Sequence, residues 1–462
     1  MLRTYFCRFA VLLSLTWGTA ITSRAQSFSV QCPTVTELHP KNSSAPGAIK
    51  CQQVSGGDGF ATMADGNQIF LFGFGPLSGL ADIQAGLPGT ETAAVFNSTT
   101  DKNRALTSVG DIMDTGVMNA ESPAPTMAID EDDEFFLTLT NVGMIMRPDL
   151  FEQHTIHFHG YPNASSYFDG VPDASVAINI GGSMTYYYTA PDAGTYFWHC
   201  HISPPEHLQM GMVGQLYVRP RQNRLTSKQH VYDALVASNL AKGSPDGKQC
   251  SDILCTGETP APASLNTVMG GTKYAYNDGD GSTQFDVEYP IQIMGFDPDF
   301  HFVATTFNPE GFADMKDRYY LLSGRGYPDT VNQSYISTEG ADGKARPSQP
   351  VRSLIVINKS AGQKRALLRI SDLSVTEFTT LATVGVPMTV IAQDARLLRD
   401  SMGNNMYYQT NSITIGGGQS IDVILDATNI PTGTYFLYST NLDHLSNDAE
   451  NFGGQMTEIH VL

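Results

Sequence analysis

Between His154 and Met212 the chain gathers six of its eleven histidines, one cysteine and a methionine at ligand-like spacing. The stretch opens with His154-Thr155-Ile156-His157-Phe158-His159-Gly160 and closes with Trp198-His199-Cys200-His201, followed by His207, Met210 and Met212. On strands, side chains alternate faces with period two. His157 and His159 then share a face, as do His199 and His201, while Cys200 points the other way. His154 precedes His157 by an odd number of residues and falls on the Cys200 side. The loop after the second strand can bring in His207 and Met212. Parity thus sorts the donors of a strand pair into two sites. The first, with two imidazoles, a thiolate and a thioether, is the blue-copper donor set, and the methionine argues against zinc. The second is all imidazole and suits copper that handles oxygen-based ligands. Cys200 adjoins both His199 and His201 and can carry electrons from one site to the other. Met210 reads as a packing residue, because Met212 has the better spacing from His207.

The rest of the chain bounds the setting. Length allows two to three domains, and 43 Gly with 25 Pro suit a turn-rich, mostly β protein. A balance of 27 basic to 46 acidic residues argues against nucleic acid or an anionic membrane as partner. Residues 1–25 read as a secretory signal: Arg3 and Arg8, an apolar run too short for a confident span, then Ser23-Arg24-Ala25 as the cleavage site. The expectation is an exported protein, secreted or periplasmic, with no membrane span after cleavage. Cys7 goes with the signal and Cys200 with the metal, leaving Cys32, Cys51, Cys250 and Cys255. These allow three connectivities, of which Cys32–Cys51 with Cys250–Cys255 is the local choice, and disulfides fit an oxidising compartment. Asn-x-Ser/Thr sequons begin at Asn42, Asn97, Asn163, Asn332 and Asn358.

Asp65-Gly66-Asn67 reads as a hairpin turn, 72–111 as loops, and the acidic run 130–134 as a solvated turn. Residues 219–285 read as a linker or insertion, with a short helix at Tyr232–Leu240. From about 286 a second unit repeats the first. Gly194-Thr-Tyr-Phe-Trp-His-Cys-His is matched by Gly433-Thr-Tyr-Phe-Leu-Tyr-Ser-Thr, so Tyr438, Ser439 and Thr440 stand where the first unit has His199, Cys200 and His201.

The two metal motifs resemble those of the multicopper oxidases, H-P-x-H-x-H-G and H-C-H-x3-H-x3-G-M. Here Thr155 replaces the proline, and the Cys-to-His loop is two residues longer and includes Pro204 and Pro205. The resemblance implies an all-β protein of two cupredoxin-like Greek-key β-sandwich domains joined by a loop-rich linker. The domains are a copper-binding one with an N-terminal extension at 26–218, the linker at 219–285, and one without copper ligands at 286–462. It implies a type 1 copper on His154, Cys200, His207 and Met212. His157, His159, His199 and His201 become half of a type 2/type 3 cluster that reduces dioxygen. A full cluster in that family takes eight histidines, whereas this chain has two His-x-His pairs, and its isolated His301, His444 and His460 read as structural. A homo-oligomer, such as a two-fold dimer of first domains, or a partner chain would then complete it. The implied activity is laccase-like, with electrons drawn from an external small molecule or protein. A non-enzymatic blue-copper electron-transfer or copper-binding protein is the alternative. A nitrite-reductase-like enzyme is the weaker one, since that group carries Asp at the place of His157 and a second-domain histidine near Thr440.

Overall fold

Alternating apolar strands fold here into two β-sandwiches. The computed structural model describes residues 28–42, 46–161, 165–190, 192–225, 231–241, 243, 245, 273–306, 311–340, 342–400 and 402–462. The expected signal segment, the Cys250–Cys255 pair and the sequon asparagine at 163 lie outside the described residues. A long hairpin, Ile49–Thr62 with Gln68–Pro76, turns at Asp65-Gly66-Asn67. There the Asp65 carboxylate accepts the Asn67 N–H at 2.9 Å, and Gly66 takes φ +87°, a conformation that favours glycine. The hairpin continues into a sheet with Glu134–Gly143, parallel to Ile49–Thr62, and Ser183–Thr189. The facing sheet runs in the order Met127–Asp130, Val213–Arg219, Gly194–His199, His157–Phe158. Phe135, Leu137 and Leu139 from one sheet meet Tyr196, Trp198 and Leu216 from the other in a single apolar core. A Cβ at Gly214 would come within 2.6 Å of the Trp198 indole, so this position must stay a glycine for the metal-bearing strand to lie flat on its neighbour. Cys32 and Cys51 form a disulfide that ties the N-terminal segment to this sandwich.

The second sandwich repeats the plan. Val287–Phe296 runs parallel to Arg365–Asp372, as Ile49–Thr62 does to Glu134–Gly143. Ile355–Ile357 runs parallel to Met456–Val461, as Met127–Asp130 does to Val213–Arg219. Its core is built from Ile291, Leu368, Ile370, Leu381, Val423, Leu437 and their neighbours.

The two sandwiches meet on the strand that carries the Cys motif. Thr195 donates to Asp422 at 2.6 Å, and Gln215 donates to the Arg369 carbonyl at 2.9 Å. Arg369 is fully buried, 3.0 Å from Glu288 and stacked over Tyr217. Burial alone would push Glu288 up, but Arg219 and Arg369 override it and bring it down to about 2. A depressed carboxylate contributes stability that is complete above its unfolded value near 4.5 and is lost as pH falls toward 2. Acid unfolding of Glu288→Gln, compared with the parent between pH 5 and 2, should therefore show a flattened acid limb.

Two expectations from the sequence are corrected. Glu131, Asp132, Asp133 and Glu134 are buried rather than a solvated turn. Asp132 pairs with Arg221 and Arg224, Glu131 with Arg221, and Asp133 accepts the Ala48 N–H. The basic stretch after Val218 is thus anchored to the first sandwich by buried ion pairs. Within 72–111, short helices at Leu80–Gln84, Ala93–Phe96 and Val109–Gly116 replace plain loop, the last two capped by Thr92 and Ser108. The helix expected at Tyr232–Leu240 spans Val231–Ala241.

Candidate metal centre

His154, Cys200 and His207 bring a ligand atom each within 4.8 Å of one another, all buried at one end of the first sandwich. His154 enters from the segment before the short strand His157–Phe158, held by an exchange of backbone hydrogen bonds with Ile178. Cys200 follows directly on the strand Gly194–His199. The expected loop to His207 is a helix, Pro204–Gln209, with proline in its first turn and Ser203 at φ +40° before it. Proline suits that position because its missing N–H has no helical partner there. His207 Nδ1 lies 3.3 Å from Cys200 Sγ, and Met212 returns to the site with its N–H on the His207 carbonyl. Met212 and Met210 are both fully buried in the same core.

The electrostatics suit a thiolate ligand. Burial pushes the Cys200 thiol up, but the His207 and His154 rings outweigh it and hold it well below its ordinary range. Burial likewise pushes His207 down, and the Cys200 and Glu152 charges raise it to about 10. Beyond the Cys200 sulfur, the ring nitrogens of the buried His154 have no hydrogen-bond partner, a costly state for polar atoms removed from water. A cation bound between the three donors relieves that cost, and thiolate with two imidazoles fits copper.

His157, His159 and His199 form the second group, again with donor atoms within 4.8 Å. The His201 ring lies 5.0 Å from that of His157 and 5.5 Å from that of His199. The outer nitrogens are held by carbonyls. His157 Nδ1 is 2.7 Å from the Asp169 carbonyl, and His199 Nδ1 is 2.7 Å from that of Cys200. The Gly418 backbone, from the second sandwich, holds His159. Outer bonds of this kind fix the tautomer and leave the inner nitrogen free to ligate. His159 Nε2 and His199 Nε2 stand 2.9 Å apart. Burial, reinforced by the neighbouring rings, keeps His199 neutral, down to about 3. Neutral imidazole is the ligating form.

The structure brings His157, His159 and His199 together with the His201 ring beside them, and His154 and His207 around Cys200; Met212 reaches that pocket through its backbone bond to His207 and is buried in the same core. The remaining described histidines stand apart from both groups. His39 contacts Glu134 at 2.6 Å, His301 lies between the Phe70 and Gln209 carbonyls, His444 contacts Glu377, and His460 contacts Glu458. Sequence reasoning missed Glu152, whose carboxylate lies 3.5 Å from His207 Nε2. Its only sequence signal is a place two residues before His154. It also missed Gly418, which no local pattern marks.

Residues 103–223 and 312–459 each match a family model described as multicopper oxidase. A laccase of Aspergillus fumigatus is 34% identical over 109 residues, and an L-ascorbate oxidase of Cucumis sativus is 33% identical over 113. Each match covers 23% of this chain and 17% of the relative, so the chain is aligned with about a sixth of these proteins. Among solved structures, the blue copper oxidase of Nitrosomonas europaea superposes with a TM-score of 0.52 at 18% identity, covering 89% of this chain and 85% of that one. The multicopper oxidase mgLAC does so with a TM-score of 0.53 at 17% identity, covering 89% and 86%. These structures share the fold.

Proposed function

Since this chain belongs to the multicopper oxidase family, we propose that it is an exported copper-dependent oxidoreductase, laccase-like, that draws single electrons from an external donor and delivers them to dioxygen. The observation that carries this reading is the pair of donor groups, the first buried and the second partly open to solvent, joined through Cys200. His154, Cys200, His207 and Met212 would hold a type 1 copper, and His157, His159, His199 and His201 the copper that meets dioxygen. Copper supplies the one-electron chemistry, and the protein supplies geometry and routing.

His207 is fully buried, so a donor molecule does not touch its ring. Glu152 is a quarter exposed and covers His207 Nε2. Cationic donors therefore meet a carboxylate at the point where electrons enter. From the thiolate, two covalent routes lead to the second group through His199 and His201. The 2.7 Å contact from His199 Nδ1 to the Cys200 carbonyl adds a hydrogen-bonded shortcut. Glu152→Gln should lower kcat/KM for a cationic donor about tenfold, or roughly 1.4 kcal/mol, with an unchanged copper content. An equal loss for neutral donors would mean that Glu152 acts on His207 alone.

Four imidazoles are half of what the full cluster takes, and among the described residues no other histidine approaches them. A second copy of the chain, or a partner, would supply the rest. The same count favours a second reading, an electron-transfer protein with one working copper. Copper content per chain, visible absorption and native mass on copper-loaded protein separate the two. More than one copper per chain in an oligomer that consumes oxygen supports the oxidase. One copper per chain with a blue band and no oxygen uptake supports the carrier.

A further inference from the structure

The second sandwich repeats the backbone frame and the histidine contacts of the Cys200 pocket. In the first, the Cys200 N–H donates to the Met212 carbonyl at 3.1 Å and the Met212 N–H to the His207 carbonyl at 2.8 Å. In the second, the Ser439 N–H donates to the Gln455 carbonyl at 2.9 Å and the Gln455 N–H to the His444 carbonyl at 2.8 Å. His207 Nδ1 is 3.3 Å from Cys200 Sγ, and His444 Nδ1 is 3.3 Å from Ser439 Oγ. The outer nitrogen of each ring faces a carboxylate, Glu152 at 3.5 Å and Glu377 at 2.9 Å. Strand register completes the match. His157 pairs with His199, and Ala382 pairs with Tyr438. Three residues back from His157 is His154, and three back from Ala382 is Thr379.

Four positions therefore correspond: Thr379 to His154, Ser439 to Cys200, His444 to His207 and Gln455 to Met212. Two of the four still offer metal donors. Glu377 lies 2.9 Å from His444 Nε2, an outer contact that turns Nδ1 to the pocket side, 3.3 Å from Ser439 Oγ. Gln455 is buried, and its Oε1 has no hydrogen-bond partner. Glutamine serves as the weak axial ligand in some blue-copper sites. Thr379 and Ser439 supply hydroxyls where copper takes imidazole and thiolate. The line Ser439–His444–Glu377 also has the order of a nucleophile relay. Ser439 and His444 are buried, however, so no substrate reaches the hydroxyl.

We propose that the second domain carries a latent copper pocket, two side chains short of a blue-copper donor set. His444 and Gln455 remain in place as donors, and only Thr379 and Ser439 separate the pocket from a site for Cu2+ or Co2+. The inference rests on the copper reading of the first pocket.

The test uses the full chain with Cys200→Ser, so that the first pocket contributes no thiolate. Adding Thr379→His and Ser439→Cys should produce, on titration with Cu2+ and separately with Co2+, an intense thiolate-to-metal band that saturates at one metal per chain. Adding His444→Ala should remove that band, which distinguishes the pocket from metal bound at other cysteines. A folded variant, with far-UV circular dichroism and melting like the parent, that shows no such band with either metal overturns the proposal. So does a band that survives His444→Ala. Should the combined variant fail to fold, Ser439→Cys alone decides the question by the same Co2+ band and the same His444→Ala control. The copper reading of the first pocket is judged separately, on the Cys200 band of the parent chain.

Discussion

Cys200→Ser should abolish the intense visible band of the copper-loaded protein and lower oxidase turnover by about a thousandfold or more, some 4 kcal/mol in barrier terms. A serine hydroxyl is a hard, protonated donor and does not replace a thiolate. The proposed roles compound the loss, because Cys200 would be both a donor of the first group and the covalent bridge to His199 and His201. The fold should survive. Ser439 already occupies the matching place in the second sandwich, within hydrogen-bond distance of His444 at 3.3 Å. A serine at 200 can bond His207 in the same manner, so the stability cost should stay near 1 kcal/mol. Absorption spectroscopy, copper analysis and denaturant melts on the same sample check all three statements. A blue band in the Cys200→Ser protein would overturn the assignment of the thiolate.

Arg369→Leu should destabilise the protein by about 3–5 kcal/mol, the range for breaking a buried ion pair from one side. Arg369 sits 3.0 Å from Glu288 and 3.9 Å from Asp422, donates to Thr195, and lies over the Tyr217 ring. Removing it leaves Asp422 buried without its cation, while Glu288 keeps only Arg219 at 3.1 Å. The damage falls on the junction, because Thr195 belongs to the Cys-bearing strand and Asp422 to the second sandwich. Denaturant unfolding measures the loss. Adding Asp422→Asn to Arg369→Leu should recover part of it, since the orphaned charge goes with it. A double variant less stable than Arg369→Leu would mean that packing, rather than charge, sets the cost.

The grouping of the donor side chains was legible because period-two parity needs nothing beyond the strand itself. His157, His159, His199 and His201 on one side and Cys200 on the other follow from counting. The acidic run 130–134 was misread because its partners, Arg221 and Arg224, lie about ninety residues away. An isolated Glu-Asp-Asp-Glu string carries no sign that it is buried. The helix at Pro204–Gln209 was hidden by its brevity: one turn shows no periodicity, and Pro204-Pro205 reads equally as loop. His444 was legible as a lone histidine but not as the counterpart of His207. Seven residues separate Cys200 from His207 and five separate Ser439 from His444, so the match appears only in the hydrogen bonds.

The hold of Gly418 on His159 makes the domain junction and the histidine cluster a single thermodynamic object. Gly418 takes φ +84°, and a Cβ there would lie 3.0 Å from the imidazole, so the two sandwiches touch at a proposed ligand. A ligand that binds only the docked form favours docking in proportion to its occupancy. If His159 ligates copper as proposed, metal uptake and the contact at the junction would reinforce each other: the second sandwich presets the ring, and a cation held by the ring would strengthen the contact. Amide exchange across residues 416–420, slowed by metal at a place that carries no ligand of its own, is where that reciprocity would be read.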